Sequence, residues 1–261
     1  MTWFYDQMDA VYVPSRFTGE ELLEKGISDG KIRVYPRGID IERYHPRHRD
    51  RNTLGAYGIP ESATVFLYVG RVSKEKNLHV LAAAFSELTE QGENVWLVIT
   101  GDGPFRKEME AMLEGMPARF TGYKDGDELA ALYASADAFV FPSTTDTFGN
   151  VVLEAQASGI PVIVVKGSAP SENVVPDGTG LVVEPNSVQA LCHGMAGLAR
   201  DASRRFAMGQ AARAYMNGRG FQQAFEKLWA MYSAEGGTGR RGTDTESPGS
   251  EPEHWLQANV L

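Results

Sequence analysis

Four stretches of this chain place polar or charged residues directly after apolar runs of strand length, and each is a candidate for chemistry. The run Thr64–Val69 is followed by GRVSKEKN. Gly70 permits a tight turn there. Arg71 and Lys76 put two cations on one short loop, where an Arg fork and a mobile Lys charge suit a diphosphate. The bland alternative is a solvated charge run of Lys74, Glu75 and Lys76. The run Val95–Thr100 is followed by GDGPFR. It has two glycines of a dinucleotide fingerprint but Arg106 where the third belongs, which argues against hydride transfer. It also reads as a strand-to-helix turn with Pro104 near the first helical position. The run Arg119–Thr121 is followed by GYKDGDEL, in which Gly122, Tyr123 and Lys124 could line a base pocket or simply leave a half-buried loop aromatic.

The richest stretch follows Ala138–Phe141: PSTTDTFGNVVLEAQASGIP. Ser143, Thr144, Thr145, Asp146 and Thr147 fill a polar loop. Phe148, Gly149 and Asn150 open a helix, and free N–H groups at a helix start favour phosphate or sugar oxygens. Glu154 lies four residues after Asn150 and shares its face. Its neighbours Val151, Val152, Leu153 and Ala155 are apolar, so a carboxylate there is costly unless paired or hydrogen-bonded.

The elements that must position these residues alternate. Strands at Thr64–Val69, Val95–Thr100, Arg119–Thr121, Ala138–Phe141, Val162–Val165 and Gly180–Val183 are separated by helices near 77–90, 105–113, 127–135 and 149–158. Helices from about Val188 to Ser233 follow. Apolar strands alternating with helices predict an α/β protein with a Rossmann-like, doubly wound parallel sheet covered on both faces. In such a sheet ligands sit beyond the carboxyl ends of the strands, which is where all four stretches fall. Before this unit stand a strand at AVYVPS, a helix that Thr18 could cap, closed by Gly26, and a strand at Ile32–Tyr35. Met1–Gln7 carries Trp3, Phe4 and Tyr5 and no helix-start signal. Pro36–Pro60 reads as an inter-domain connection. One strand–helix–strand unit cannot bury its own sheet faces, so the expectation is a partial N-terminal domain, lost by truncation or completed by another chain. The expected divisions are 1–44 for that remnant and hinge, 45–200 for the main domain, 201–233 for C-terminal helices and 234–261 for a disordered tail. Trp255, Leu256, Val260 and Leu261 in the tail are a candidate docking peptide.

The chain has 261 residues and a formal net charge of −9, which argues against a general nucleic-acid surface. Its one cysteine, Cys192, forms no internal disulfide, and no apolar run has membrane-spanning length. The expected location is the cytoplasm.

Taken together, GR-x4-K (Arg71, Lys76) and D-x-FG-x4-E-A-x3-G-x-P resemble the retaining glycosyltransferases of family 4, which have the GT-B fold. VPS, PRGID, GDGP and DGTGLVVEPN fit the same text, and the likeness covers about residues 8–190. The resemblance implies a donor-binding C-terminal domain that holds a UDP- or GDP-sugar, with no metal ion or other cofactor required. Carried over by position, Gly70, Arg71 and Lys76 hold the diphosphate and stabilise the leaving group. Glu154 holds the ribose hydroxyls, and Asp146 contacts the donor sugar. The amides of Phe148, Gly149 and Asn150 touch sugar or phosphate, and Tyr123 and Lys124 match the base loop. The family has Glu where this chain has Asp146, about 1.5 Å shorter. That favours a sugar-orienting role over a nucleophilic one. Arg71, Lys76 and Asp146 are thus the expected catalytic residues. The implied acceptor is a lipid or glycan, bound through the N-terminal domain, with peripheral association at the inner membrane face. The alternatives are another enzyme of the same fold, such as an epimerase or phosphorylase, and a non-catalytic nucleotide-sugar-binding subunit. With only the donor half of the cleft in this chain, donor binding with little transfer by the chain alone is expected, as are exposed aromatics at Trp3, Phe4, Tyr5 and Trp229.

Overall fold

Consecutive rather than alternating apolar residues mark strands covered on both faces, and such strands form the centre of the computed structural model, which describes residues 2–236. The chain opens with α1 (Thr2–Asp6), β1 (Val11–Val13), α2 (Arg16–Glu24) and β2 (Ile32–Val34), followed by α3 (Arg51–Gly55) in the connection. The main unit then runs β3 (Thr64–Val69), α4 (Leu78–Glu90), β4 (Val95–Thr100), α5 (Arg106–Met112), β5 (Ala118–Gly122) and α6 (Gly126–Ser135). It continues through β6 (Ala138–Phe141), α7 (Asn150–Ala157), β7 (Val162–Val165) and β8 (Gly180–Val183) to α8 (Val188–Arg200), α9 (Ala202–Tyr215) and α10 (Phe221–Gly236). The residues divide into two compact units at Leu228 and Trp229.

β1 and β2 pair in parallel, with Val11 opposite Ile32. The larger sheet has 6 strands in the order β5-β4-β3-β6-β7-β8, all parallel. Its winding reverses between β3 and β6, so the loops leaving these two adjacent strands diverge and open a crevice at their carboxyl ends. Phe66, Leu67, Tyr68, Leu97, Val98, Ile99, Phe139 and Val140 are fully or almost fully buried along the centre.

Three local expectations need correction. Ser15, not Thr18, caps α2: its hydroxyl accepts from the Thr18 amide at 3.1 Å. The aromatics at the start form the short helix α1 although no helix-start signal precedes them, and of the three expected to be exposed Trp3 and Phe4 are, but Tyr5 is half-buried, edge-on to Phe4 at 5.7 Å. Ala234–Gly236, expected in the tail, are the end of α10, and Trp255, Leu256, Val260 and Leu261 lie outside the described residues. In the second unit Trp229 and Tyr232 stack at 6.1 Å, and both are exposed.

The glycines of GDGP serve the backbone. A β-carbon on Gly101 would lie 2.0 Å from the Gly70 carbonyl oxygen, and Gly101 sits at φ +130°. The loops after β3 and β4 are laced by Gly70 N–H to Thr100 O, Val72 N–H to Asp102 O and Phe105 N–H to Val72 O.

Asp137, just ahead of β6, ties the connection to the sheet. It accepts from Arg49 at 2.9 Å, Arg51 at 3.1 Å and the Val65 amide at 2.9 Å, with 12% of its side chain exposed. Removing one partner of a largely buried ion pair leaves the others uncompensated. Asp137→Ala is therefore expected to lower unfolding free energy in urea by about 3 kcal/mol; a loss under about 1 kcal/mol would show the network to be ornamental.

Candidate functional site

The two loops at the switch point are joined by side chains. Lys76 Nζ donates to Asp146 Oδ2 at 2.9 Å, with 18% and 24% of the two side chains exposed. Asp146 Oδ1 accepts from the amides of Gly149 at 2.8 Å and Phe148 at 3.2 Å. Burial works to raise the Asp146 carboxyl, but the Lys76 ammonium and these amides outweigh it and hold it below the ordinary carboxylate range. Thr145 Oγ1 donates to the Glu75 carbonyl at 3.2 Å, giving a second stitch. Lys76 also lies 5.9 Å from the Phe141 ring centroid.

This geometry corrects one expectation. The amides of Phe148 and Gly149 are not free for a sugar or phosphate, because Asp146 closes an Asx-type turn onto them. Donors at a helix start require acceptors, and a short side chain two or three residues upstream supplies one. Gly149, at φ +84°, packs so tightly that a β-carbon would stand 3.0 Å from Pro170. Asn150 is exposed at the first turn.

Gly70 begins the cation loop. Arg71 is exposed, and its guanidinium makes no ion pair with a described residue, while its carbonyl accepts from the buried Tyr68 hydroxyl at 2.9 Å. Glu154 stands on α7 beneath the loop. The Tyr133 hydroxyl donates to its Oε2 at 2.9 Å. Burial pushes the Glu154 carboxyl up to about 7, against the opposing pull of that hydrogen bond. Tyr133 is fully buried, edge-on to Tyr44 at 5.5 Å. Tyr123 is 69% exposed beyond β5. Lys124 is turned to its own helix, paired with Glu128 at 2.9 Å.

Several contributors were not visible in the sequence. Asn77, left-handed at φ 55°, holds its amide within 3.1 to 3.4 Å of Pro142 O, Thr144 Oγ1 and Asn186 Oδ1, joining three loops. Its one cue is that Asn tolerates the left-handed region. Ser15 Oγ and Thr18 Oγ1 lie 2.9 and 3.3 Å from the Thr147 carbonyl. Glu172 accepts from the Arg16 and Phe17 amides at 2.9 and 2.6 Å, a carboxylate at the start of α2. The α2 N-terminus is thereby fastened to the loop that carries Asp146.

Among the described residues no group of three or more His, Cys, Asp or Glu is placed to hold a metal ion, and no helix is long and apolar enough to cross a membrane.

Residues 50–215 match the family model of glycosyl transferases group 1, and residues 1–43 match a glycosyltransferase family 4 model. The chain is 36% identical over 213 residues to the sulfoquinovosyl transferase SQD2 of Arabidopsis thaliana, covering 78% of this chain and 40% of that protein. It is 35% identical over 244 residues to a GDP-mannose-dependent alpha-mannosyltransferase of Mycobacterium tuberculosis, covering 90% and 58%. The chain thus spans about half the length of these relatives. Among solved structures, a Rickettsia africae glycosyltransferase gives a TM-score of 0.79 at 21% identity, covering 89% of this chain and 66% of that one. Anabaena HepE with UDP-glucose gives 0.77 at 22%, covering 87% and 64%. The fold is that of GT-B glycosyltransferases. The first model spans more than half of the 261 residues, over the very strands and loops that build the crevice, and the chain belongs to the glycosyl transferases group 1 family.

Proposed function

We propose that this chain holds the nucleoside diphosphate of a nucleotide-sugar donor and serves transfer of a hexosyl group, with retained anomeric configuration, to a lipid or glycan acceptor. The observation that carries this is the juxtaposition of Arg71, Lys76 and Asp146 across the crevice, with Glu154 on the helix behind. A Lys ammonium has three donors. Asp146 takes one, which fixes the head of Lys76 and leaves two for phosphate oxygens. The Arg71 guanidinium offers a fork beside it. In transfer, the bond from the anomeric carbon to the diphosphate oxygen breaks with its electron pair leaving on oxygen. Arg71 and Lys76 stabilise that charge, the largest contribution such a site makes. The acceptor oxygen bonds the anomeric carbon from the same face and gives its proton to the departing phosphate oxygen.

Asp146 has three of its roughly four lone-pair positions filled, leaving one for a sugar hydroxyl. Its part is to position Lys76 and the sugar, not to attack carbon. Glu154 receives the ribose hydroxyls. Tyr123, Lys124 and Asn150 border the base and sugar ends. The relatives named for GDP-mannose and sulfoquinovose, and the HepE complex with UDP-glucose, support a nucleotide-sugar donor. The reaction needs no metal in this reading, because two cations of the chain meet the diphosphate. A lipid acceptor places the working enzyme at a membrane surface.

Calorimetry with UDP and GDP tests the donor site. Arg71→Ala is expected to cost about 1.5 to 3 kcal/mol of binding. Lys76→Ala is expected to cost at least as much, since it also strands Asp146. Equal affinity across wild type and both variants would refute the assignment.

Glu154 makes a second, signed prediction. Its folded carboxyl is raised from 4.5 to about 7, so the native state holds a proton that the unfolded chain has lost. Stability is then fully favoured below about 4.5 and falls, by about 3 kcal/mol in all, as pH rises to about 7. A ribose diol donates to the ionised carboxylate, so nucleotide affinity should move the other way, strengthening as pH rises through 7. Glu154→Gln is expected to flatten both trends. Parallel pH profiles for wild type and Glu154→Gln would remove Glu154 from the site.

A further inference from the structure

The amino ends of the strands, opposite the crevice, carry a second concavity of about 610 Å3. It lies between α9 and the carboxyl ends of α6 and α7, and its lining includes Arg49, Ser158, Pro161, Arg205, Phe206 and Arg213. Three arginines meet here because three helices end here, each exposing carbonyls that a cation satisfies. Arg49 donates to Ala134 O and Ala136 O at the end of α6. Arg205 donates to Leu198 O and Ala199 O at the end of α8. Arg213 donates to Ala157 O at the end of α7, and to Ile41 O and Tyr44 O.

Donors remain on two of these arginines. Arg205 and Arg213 each use Nη1, and neither Nη2 nor Nε makes a hydrogen bond to a described residue. Burial lowers the pKa of both guanidinium groups, against the opposing pull of Asp137 and Asp201 on Arg205 and of Glu42 on Arg213. Asp137, the carboxylate in the wall, is already engaged by Arg49, Arg51 and Val65. The Ser158 hydroxyl is buried, with the residue 2% exposed, and it has no hydrogen-bond partner among the described residues. A buried hydroxyl in that state is costly and calls for a partner. Beside these groups lie apolar Pro161, Ile160 and Phe206, the last 68% exposed.

We propose that this cavity is a second ligand site, distinct from the donor crevice, that binds a small oxyanion carried on a flat apolar body. The oxyanion accepts from Arg205, Arg213 and the Ser158 hydroxyl, and the apolar body lies against Phe206 and Pro161. Phosphate monoesters and carboxylates share this chemistry.

Phenyl phosphate is the probe, titrated calorimetrically into the full chain, with phenol as the uncharged control. Binding of phenyl phosphate but not phenol is expected. Phe206→Glu sets a negative charge at the mouth on an exposed position and should weaken binding at least about tenfold. Ser158→Ala removes a hydroxyl that supports nothing in the fold and should weaken it about three- to tenfold. Both variants should unfold no earlier than wild type in urea. Arg71→Ala should bind phenyl phosphate as wild type does, which separates this site from the donor crevice. No binding by wild type, equal affinity in Phe206→Glu and Ser158→Ala, or loss in Arg71→Ala would each overturn the proposal.

Discussion

Two loops leave neighbouring strands where the sheet reverses its winding, and the Lys76–Asp146 ion pair fixes the distance between them. A parallel sheet sends every strand's carboxyl end to one edge, so functional loops gather there by geometry alone. What topology cannot do is hold two diverging loops in register. The ion pair, the Thr145–Glu75 bond and the Asn77 bridge do that. The pair is also shielded enough to matter: with about a fifth of each side chain exposed, it sits between the nearly worthless surface pair and the heavily penalised interior one. Two amides on the far oxygen of Asp146 share the cost of its desolvation.

Helix α7 is pinned at both ends, and this gives the site a rigid floor. Its start is locked by the left-handed Gly149 against Pro170, its end by Arg213 on the Ala157 carbonyl. Between them Glu154 is carried among the apolar Val151, Val152, Leu153 and Ala155 and meets one hydroxyl, that of Tyr133. A single neutral donor does not repay burial of a full charge, which is why the carboxyl titrates near neutrality rather than near 4.5. The site therefore holds two carboxylates under opposite influence. Asp146, beside a cation, stays ionised; Glu154, beside a phenol, waits for further donors.

The central strands β3, β4, β6 and β7 were legible because they are buried on both faces: runs such as VFLYV and WLVIT have no polar break to misplace. The loops that matter were legible for the same reason, since they follow those runs. Partnerships were less visible. In PSRFT both Ser15 and Thr18 are good caps; Ser15 takes the position, and both hydroxyls also meet the Thr147 carbonyl, more than a hundred residues away in sequence. The anchoring of α2 by Glu172 is equally non-local. Tyr133 reads as one more apolar position on an amphipathic helix, because nothing nearby in sequence reveals that its hydroxyl faces a carboxylate on the next helix. GDGP carried a local signal of turn and close approach, but that the approach is to the Gly70 carbonyl depends on how adjacent strands pair.

The residue type at position 146 follows from these contacts. The carboxylate must close onto amides two and three residues ahead and still meet a lysine on the opposite loop. Asp does the first through a short, local turn that Glu forms poorly, since its extra carbon overshoots by about 1.5 Å. With Glu there, the same reach would free the Phe148 and Gly149 amides and carry the carboxylate further into the crevice. The shorter acid therefore trades reach for rigidity. It keeps the loop closed and keeps Lys76 in place, while Ser15 and Thr18 hold the same loop through the Thr147 carbonyl.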